Sequence, residues 1–311
     1  MEIGKMKAIT AEGRINHIQA AQKADAKPYT LIIMPAILIS ILFLIPFVWG
    51  IYLTFTDFRL GSQAAQFNWF QNYRVVLSSR SFWGAALKTL QFSVFAVGLE
   101  FAVGTVLAML MNTETFMARL MRRVISFSLM IAPIIATIAL KLMLNNRFGI
   151  VNYVLSFFGR QDFPWGASPK TAMFTVILAD IWIFTPFIVL ILLAGLRSLP
   201  RDPLEAAQVD GATNVSIFTE IMLPMLLPTM LIAIIFRFID CVKAFDVIWG
   251  MTAGGPGDAT MNLSIHGYVM SFSALDIAKG TTVLVFVWLL NMFLGTKLLG
   301  FWKEARARLG G

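Results

Sequence analysis

Little in this chain is equipped for covalent chemistry. It has one cysteine, Cys241, and two histidines, His17 and His266, in 311 residues. One cysteine excludes an intrachain disulfide and a cysteine-based metal site, and two histidines are a poor basis for a zinc centre. No G-x-x-x-x-G-K-[ST] pattern occurs, so the chain lacks that phosphate-binding loop. No polar segment groups a nucleophile, a base and an orienting residue, which argues against an enzyme. No metal or cofactor of its own is expected. Charge is scarce too: 14% of residues are Asp, Glu, Lys or Arg, against about 25% in soluble domains.

Apolar side chains are what the sequence has in excess, at 58% of the residues. A soluble fold would have to hide most of that surface, so an all-α polytopic membrane protein is expected. Six segments reach the roughly twenty residues a spanning helix needs: 29–55, 86–111, 124–144, 172–196, 223–249 and 278–300. Period-2 alternation is absent, and in lipid the backbone must satisfy its own hydrogen bonds, which leaves helices. Pro46, Pro133, Pro186 and Pro228 fall in or near these segments and predict kinks. The expected division is a polar tail at 1–28, a six-helix membrane domain at 29–300 and a second tail at 301–311.

The formal net charge of +8 does not point to nucleic acid, because the bases are spread among the hydrophobic segments. They divide by side. Lys5, Lys7, Arg14, Lys23, Lys27, Arg119, Arg122, Arg123, Arg197, Arg201, Lys297, Lys303, Arg306 and Arg308 fall on one side. The other side has Arg59, Arg74, Arg80, Arg147, Arg160 and Lys170. The richer side is expected to be cytoplasmic, which puts both termini and the loop at 197–222 inside.

That loop holds a spaced motif. Glu205-Ala206-Ala207 is followed after three residues by Gly211, after nine more by Ile221, and then by Leu223-Pro224. Pro203 suits the first turn of a helix and Asp202 suits its N-cap. A second helix is expected from Thr213 or Asn214, with Gly211 turning the chain between the two. The motif resembles the coupling loop of membrane subunits of bacterial ATP-binding-cassette importers, over residues 30 to 300. The resemblance implies the type I importer permease fold and a docking role for Glu205, Ala206, Ala207, Asp210 and Gly211. It also implies that ATP and magnesium are used by a separate ATPase, present in two copies, and that an extracytoplasmic binding protein delivers substrate.

A second stretch, from Ala244-Phe245-Asp246 to Thr252-Ala253-Gly254-Gly255-Pro256, resembles the carbohydrate branch of that family, which moves maltose-like sugars or glycerol phosphate. In that branch Gly-Gly-Pro is typical of the first of two different membrane subunits, which implies a heterodimer. An ion-coupled secondary carrier or channel is the alternative, and it leaves the spacing from Glu205 to Pro224 unexplained.

Charges within spans are functional candidates because burying them is costly. Phe236, Asp240 and Lys243 recur at helical spacing on one face, an aromatic plate beside polar groups that suits a sugar. Arg237 is placed to pair with Asp240, so the set is either a substrate path or a self-neutralising ladder. Asp180 beside Phe184, and Asn291 beside Trp288, are further path candidates. Ala96, Glu100, Gly104 and Ala108 form a small-residue stripe that predicts close helix packing, with Glu100 bonded across helices.

Overall fold

The computed structural model describes residues 32–62, 64–159 and 162–308; the expected tail at 1–28 lies outside the described residues. Residues up to Leu53 form one unit and those from Thr54 onward another. The described part of the first unit is a single helix, α1 (Ile32–Leu53), apolar and long enough to cross a membrane.

The second unit is helical, and its described residues include no strand beyond an isolated bridge between Thr56 and Phe67. In order come α2 (Gln71–Ser78), α3 (Arg80–Met111), α4 (Phe116–Ser128), α5 (Pro133–Met143), α6 (Ile150–Ser156) and α7 (Pro169–Ser198). Then follow α8 (Asp202–Val209), α9 (Asn214–Ser216), a π-helical segment (Ile217–Met222) and α10 (Leu223–Val242). Last are α11 (Asp246–Thr252), α12 (Leu263–Tyr268), a second π turn (Val269–Ser273) and α13 (Ile277–Arg308).

The centre is α7. About 61% of its apolar window is buried, against 33% for α3 and 11% for α13, so most of the unit packs around it. Apolar burial cannot drive that packing among lipid tails, which are as apolar as leucine; close van der Waals contact and polar ties do. The predicted small-residue stripe supplies the contact. Ala96, Glu100, Gly104 and Ala108 are all buried on α3, and a Cβ at Gly104 would stand 2.6 Å from Ile188 on α7. Gly195 plays the same part between α7 and α10, where a Cβ would meet Leu226 and Thr229.

Three expectations from the sequence need correction. The third span is not continuous: α4 and α5 meet at 105° across residues 129–132. Pro133 opens α5 rather than kinking a longer helix, because proline disfavours helical geometry in the residue before it. Arg119, Arg122 and Arg123 therefore lie within α4 rather than in a loop. The fifth span was expected to reach Trp249 but α10 stops at Val242, and 243–245 separate it from α11. Pro186 and Pro228, by contrast, do sit inside helices.

At the loop end of the unit, Glu114, in the turn between α3 and α4, links α4 to α7 by pairing with Arg122 at 3.6 Å and accepting from Arg197 at 2.7 Å. Arg122 also donates to the carbonyls of Met111 and Thr113, closing the last turn of α3. At the opposite end the Gly-Gly-Pro turn follows α11. Ala253, in left-handed geometry, caps that helix. The Thr252 and Thr260 hydroxyls meet at 2.6 Å, and Thr260 donates to the Gly255 carbonyl, so the turn is tied at its neck. Asn262 caps α12 through the Ile265 amide and donates to the Ala244 carbonyl at 2.6 Å, anchoring α12 to the α10–α11 break.

Candidate functional site

Two places collect the residues singled out by sequence. In the loop between α7 and α10, α8 begins at Asp202 with Pro203 in its first turn, where a missing N–H is harmless. The expected Asp202 cap is not formed: Asp202 is the first helical residue, and the helix has no side-chain cap bond. Thr213 does cap α9, accepting from the Ser216 amide at 3.2 Å. Gly211 turns the chain at φ +80° with nothing within 4 Å of where a Cβ would be.

Glu205, Ala206, Asp210 and Gly211 are exposed and Ala207 is half-buried. Among the described residues the Glu205 carboxylate has no hydrogen bond or ion pair. Val209 and Val215, flanking the turn, are 88% and 72% exposed. The loop thus presents an open carboxylate, two alanines and two bare valines on one short hairpin of helices.

The second place is the core. Arg237 on α10 is 2% exposed, and its guanidinium forms a fork with Glu100 of α3: Nε to Oε2 at 2.7 Å and Nη2 to Oε1 at 2.9 Å. Nη2 also donates to Asp180 Oδ2 on α7 at 2.9 Å and to Cys241 Sγ at 3.3 Å. Phe184 lies under the guanidinium, 4.0 Å from ring centroid to Cζ. One cation therefore ties three helices, each bond charge-assisted and in a medium where charge is weakly screened. The Glu100, Asp180 and Cys241 donor atoms lie within 4.8 Å of one another, and Arg237 bonds all three residues, so the positive charge they share is the protein's own.

The expected pairing of Arg237 with Asp240 is present but is the longest of its ion pairs, at 3.9 Å, and Asp240 also bonds Lys243 at 3.1 Å. Lys243 ends the helix as its C-cap. Asp180, Arg237, Asp240 and Lys243 border one cavity of about 290 Å³, with Phe184 and Phe245 among its walls. Phe236 is not among its lining residues and is exposed. Asn291 sits apart on α13, donating to the Val287 carbonyl at 3.2 Å.

Aromatic residues in and beyond the 244–256 stretch, to which sequence reasoning gave no site role, complete the picture. Phe245, Trp249, Tyr268 and Phe272 form a continuous aromatic chain with centroid spacings of 5.6, 4.7 and 5.0 Å. It runs from the cavity wall across α11 and α12 to the exposed Phe272 in the second π turn. His266, two residues before Tyr268 on α12, is half-buried with its Nε2 unpartnered among the described residues, and burial pushes its pKa below the usual histidine value.

The family of binding-protein-dependent transport system inner membrane components matches residues 100–296, which takes in both places. This chain belongs to that family. It is accordingly a multi-pass inner-membrane transport component and not an enzyme. It is 40% identical over 254 residues to a probable ABC transporter permease protein, y4oQ, of Sinorhizobium fredii, covering 80% of this chain and 82% of that one. It is 33% identical over 275 residues to the trehalose/maltose transport system permease protein MalF of Thermococcus litoralis, covering 86% and 91%. Among solved structures, a bacterial ABC transporter that imports the acidic polysaccharide alginate matches with a TM-score of 0.79 over 91% of this chain and 96% of that one, at 21% identity. The chain thus has the type I importer permease fold.

Proposed function

We propose that this permease is one of two different membrane subunits of an ATP-driven sugar importer in a bacterial inner membrane. The observation that carries the reading is the unpaired, exposed surface of α8, continuous through Gly211 with the helix that bears Arg237. Glu205, Ala206, Ala207, Asp210 and Gly211 dock one copy of a cytoplasmic ATPase; the second copy docks on the partner membrane subunit. ATP and magnesium belong to that ATPase. Both termini are cytoplasmic, in keeping with the distribution of lysine and arginine. The sugar class is supported by the Gly254-Gly255-Pro256 turn and by the relative named for trehalose and maltose.

In this reading a binding protein delivers sugar at the Gly-Gly-Pro end. ATP then draws the ATPases together, and the movement of α8 passes through α9 and the π segment into α10. There it repositions Asp240 and Lys243 against Asp180, with Phe236 and Asn291 further along the path. Hydrolysis resets the helices. Uptake of labelled trehalose or maltose by proteoliposomes holding both membrane subunits, the ATPase and the binding protein should require ATP inside the cell-facing compartment. Uptake driven by an ion gradient without ATP would instead make the chain a secondary carrier.

A further inference from the structure

The helix α4 fits neither a span nor a loop. It departs from the direction of α5 by 105°, so the two cannot both run across a membrane. Hydrogen bonds hold α4 at the loop end. Its Arg122 donates to the Met111 and Thr113 carbonyls that close α3, and Glu114, paired with Arg122, reaches Arg197 near the end of α7. With 13 residues α4 is about 20 Å long, too short to cross a hydrocarbon layer of about 30 Å alone.

Helical spacing gives α4 three sides. Ala118, Arg122 and Ile125 face the protein: Ala118 is buried, Arg122 is half-buried, and Ile125 packs against the cluster that includes Leu192 and Leu196 of α7. Phe116, Met117, Leu120, Met121, Val124 and Phe127 are exposed, Phe116 and Phe127 at 72% and 68%. Apolar exposure continues through residues 129–131. Arg119 and Arg123, one turn apart and exposed, lie on the side away from Met117 and Met121. Among the described residues neither is ion-paired, and α4 contains no Asp or Glu to answer them.

An apolar face of this extent marks a contact surface, and the arginines indicate with what. A protein packed there would have to bring carboxylates to both of them or leave buried charge unpaired. A membrane surface supplies both partners at once, because phosphate headgroups stand beside acyl chains. A helix with one apolar face and a basic edge is the form that lies at that boundary. Arginine suits it further, since its planar donors meet two phosphate oxygens together.

We propose that α4 is a lipid-bound anchor at the cytoplasmic membrane surface, with its exposed apolar face among acyl chains and Arg119 and Arg123 on the headgroups of anionic lipid. Its assignment to the cytoplasmic side rests on the importer reading. Through Glu114 the anchor ties the end of α7, just before the docking helix α8, to the membrane surface.

Fluorescence quenching in nanodiscs holding the complete transporter tests it. Val124→Cys and Phe127→Cys are labelled separately with a thiol-reactive fluorophore. The chain's own Cys241 is buried, and the unsubstituted transporter gives the background. The quenchers are phosphatidylcholine and phosphatidylglycerol brominated on their acyl chains, each at the same fraction in discs of phosphatidylcholine. Both labels should be quenched by both lipids, and phosphatidylglycerol should quench at least about threefold more efficiently. Arg119→Gln combined with Arg123→Gln should bring the two lipids near parity while quenching by phosphatidylcholine persists, which separates headgroup from acyl contact. Co-purification of all subunits checks that each variant assembles. Labels that no lipid quenches overturn the proposal and assign the face to a protein neighbour. Equal quenching by the two lipids, or a preference indifferent to the arginine pair, overturns it as well. ATP-dependent sugar uptake by the same transporter in proteoliposomes is read in parallel. Uptake without quenching strikes the anchor alone. Quenching without uptake, with the binding protein present, defeats the importer reading and leaves the lipid contact of α4 standing.

Discussion

The loop around Glu205 and the cluster around Arg237 both carry charge on short polar stretches of an apolar chain, and they handle it in opposite ways. Among the described residues nothing bonds the exposed Glu205 carboxylate, which is open to water. Arg237 is closed in by the Glu100 carboxylate of α3, the Asp180 carboxylate and Phe184 ring of α7, and the Cys241 thiol of its own helix. The loop's geometry is set locally, by Pro203, Gly211 and the Thr213 cap. The cluster's geometry exists only once α3, α7 and α10 have packed. A surface meant for a partner chain is left incomplete, while a surface that holds helices together is saturated. The same substitution should therefore mean different things in the two places.

The largest effect is expected in the core. Arg237→Ala would strand Glu100 and Asp180 as buried acids without a cation, which typically costs about 3–5 kcal/mol. A sharp fall in the thermal unfolding temperature of the detergent-purified complex is the expected outcome, with Arg237→Lys intermediate because an ammonium cannot reproduce the fork. Unchanged stability in the alanine variant would show that the three helices do not depend on this tie.

Gly211→Asp comes next and sharpens the contrast, because its loss should be functional. Among the described residues nothing lies within 4 Å of where a Cβ at Gly211 would be, so the internal cost is that of the left-handed backbone, of order 1 kcal/mol. Transport should nevertheless be abolished, with the ATPase released or uncoupled and the membrane helices still inserted. Gly211→Asn separates charge from bulk, since asparagine and aspartate are alike in size and both tolerate φ > 0 better than most residues. If Asn restores uptake and ATPase retention, the added charge was the fault; if it fails as Asp does, a partner backbone lies against the turn.

Glu205→Ala should be milder. It removes one charge-assisted contact, worth about 1.5–3 kcal/mol, from an interface that keeps its neighbours. Weaker co-purification of the ATPase with residual uptake is expected, and no change in the unfolding temperature. A destabilised permease would mean that Glu205 serves the fold and not the partner.

The smallest effect concerns His266. Its pKa is lowered in the folded protein by burial, so the folded state resists protonation that the unfolded chain accepts near the usual histidine value. Stability contributed by the neutral ring is present above about pH 6.5 and is lost as pH falls below it. Unfolding temperatures measured from pH 7.5 to 5.5 should decline, and His266→Gln should flatten the decline. An equal slope in that variant would assign it to other groups.

How much of this could be read in advance follows the same division. The two helices of the loop, the turn at Gly211 and the start after Thr213 were legible because caps, prolines and glycines act within a few residues. The small stripe on α3 was legible because helical spacing survives in any helix. Of Arg237's acidic partners only the near one, Asp240, was legible; the closer-bonded Glu100 and Asp180 are 137 and 57 residues away. The bend before Pro133 was hidden because Leu129, Met130 and Ile131 are as apolar as any helix interior. Hydropathy sees solubility in lipid, not continuity of hydrogen bonding.

The π segment at Ile217–Met222 has a consequence for the tolerance of the chain to changes in length. Removing a residue from an ordinary helix swings everything beyond it about a third of a turn, which here would carry Arg237 away from Glu100. A π turn already holds one residue more than the α-helix around it needs. Deleting a single residue between 217 and 222 would relax that stretch to regular α-helix while the flanking turns keep their facing. Between the loop and the core, this is the stretch where the sequence can shorten by one without the two ends losing their alignment.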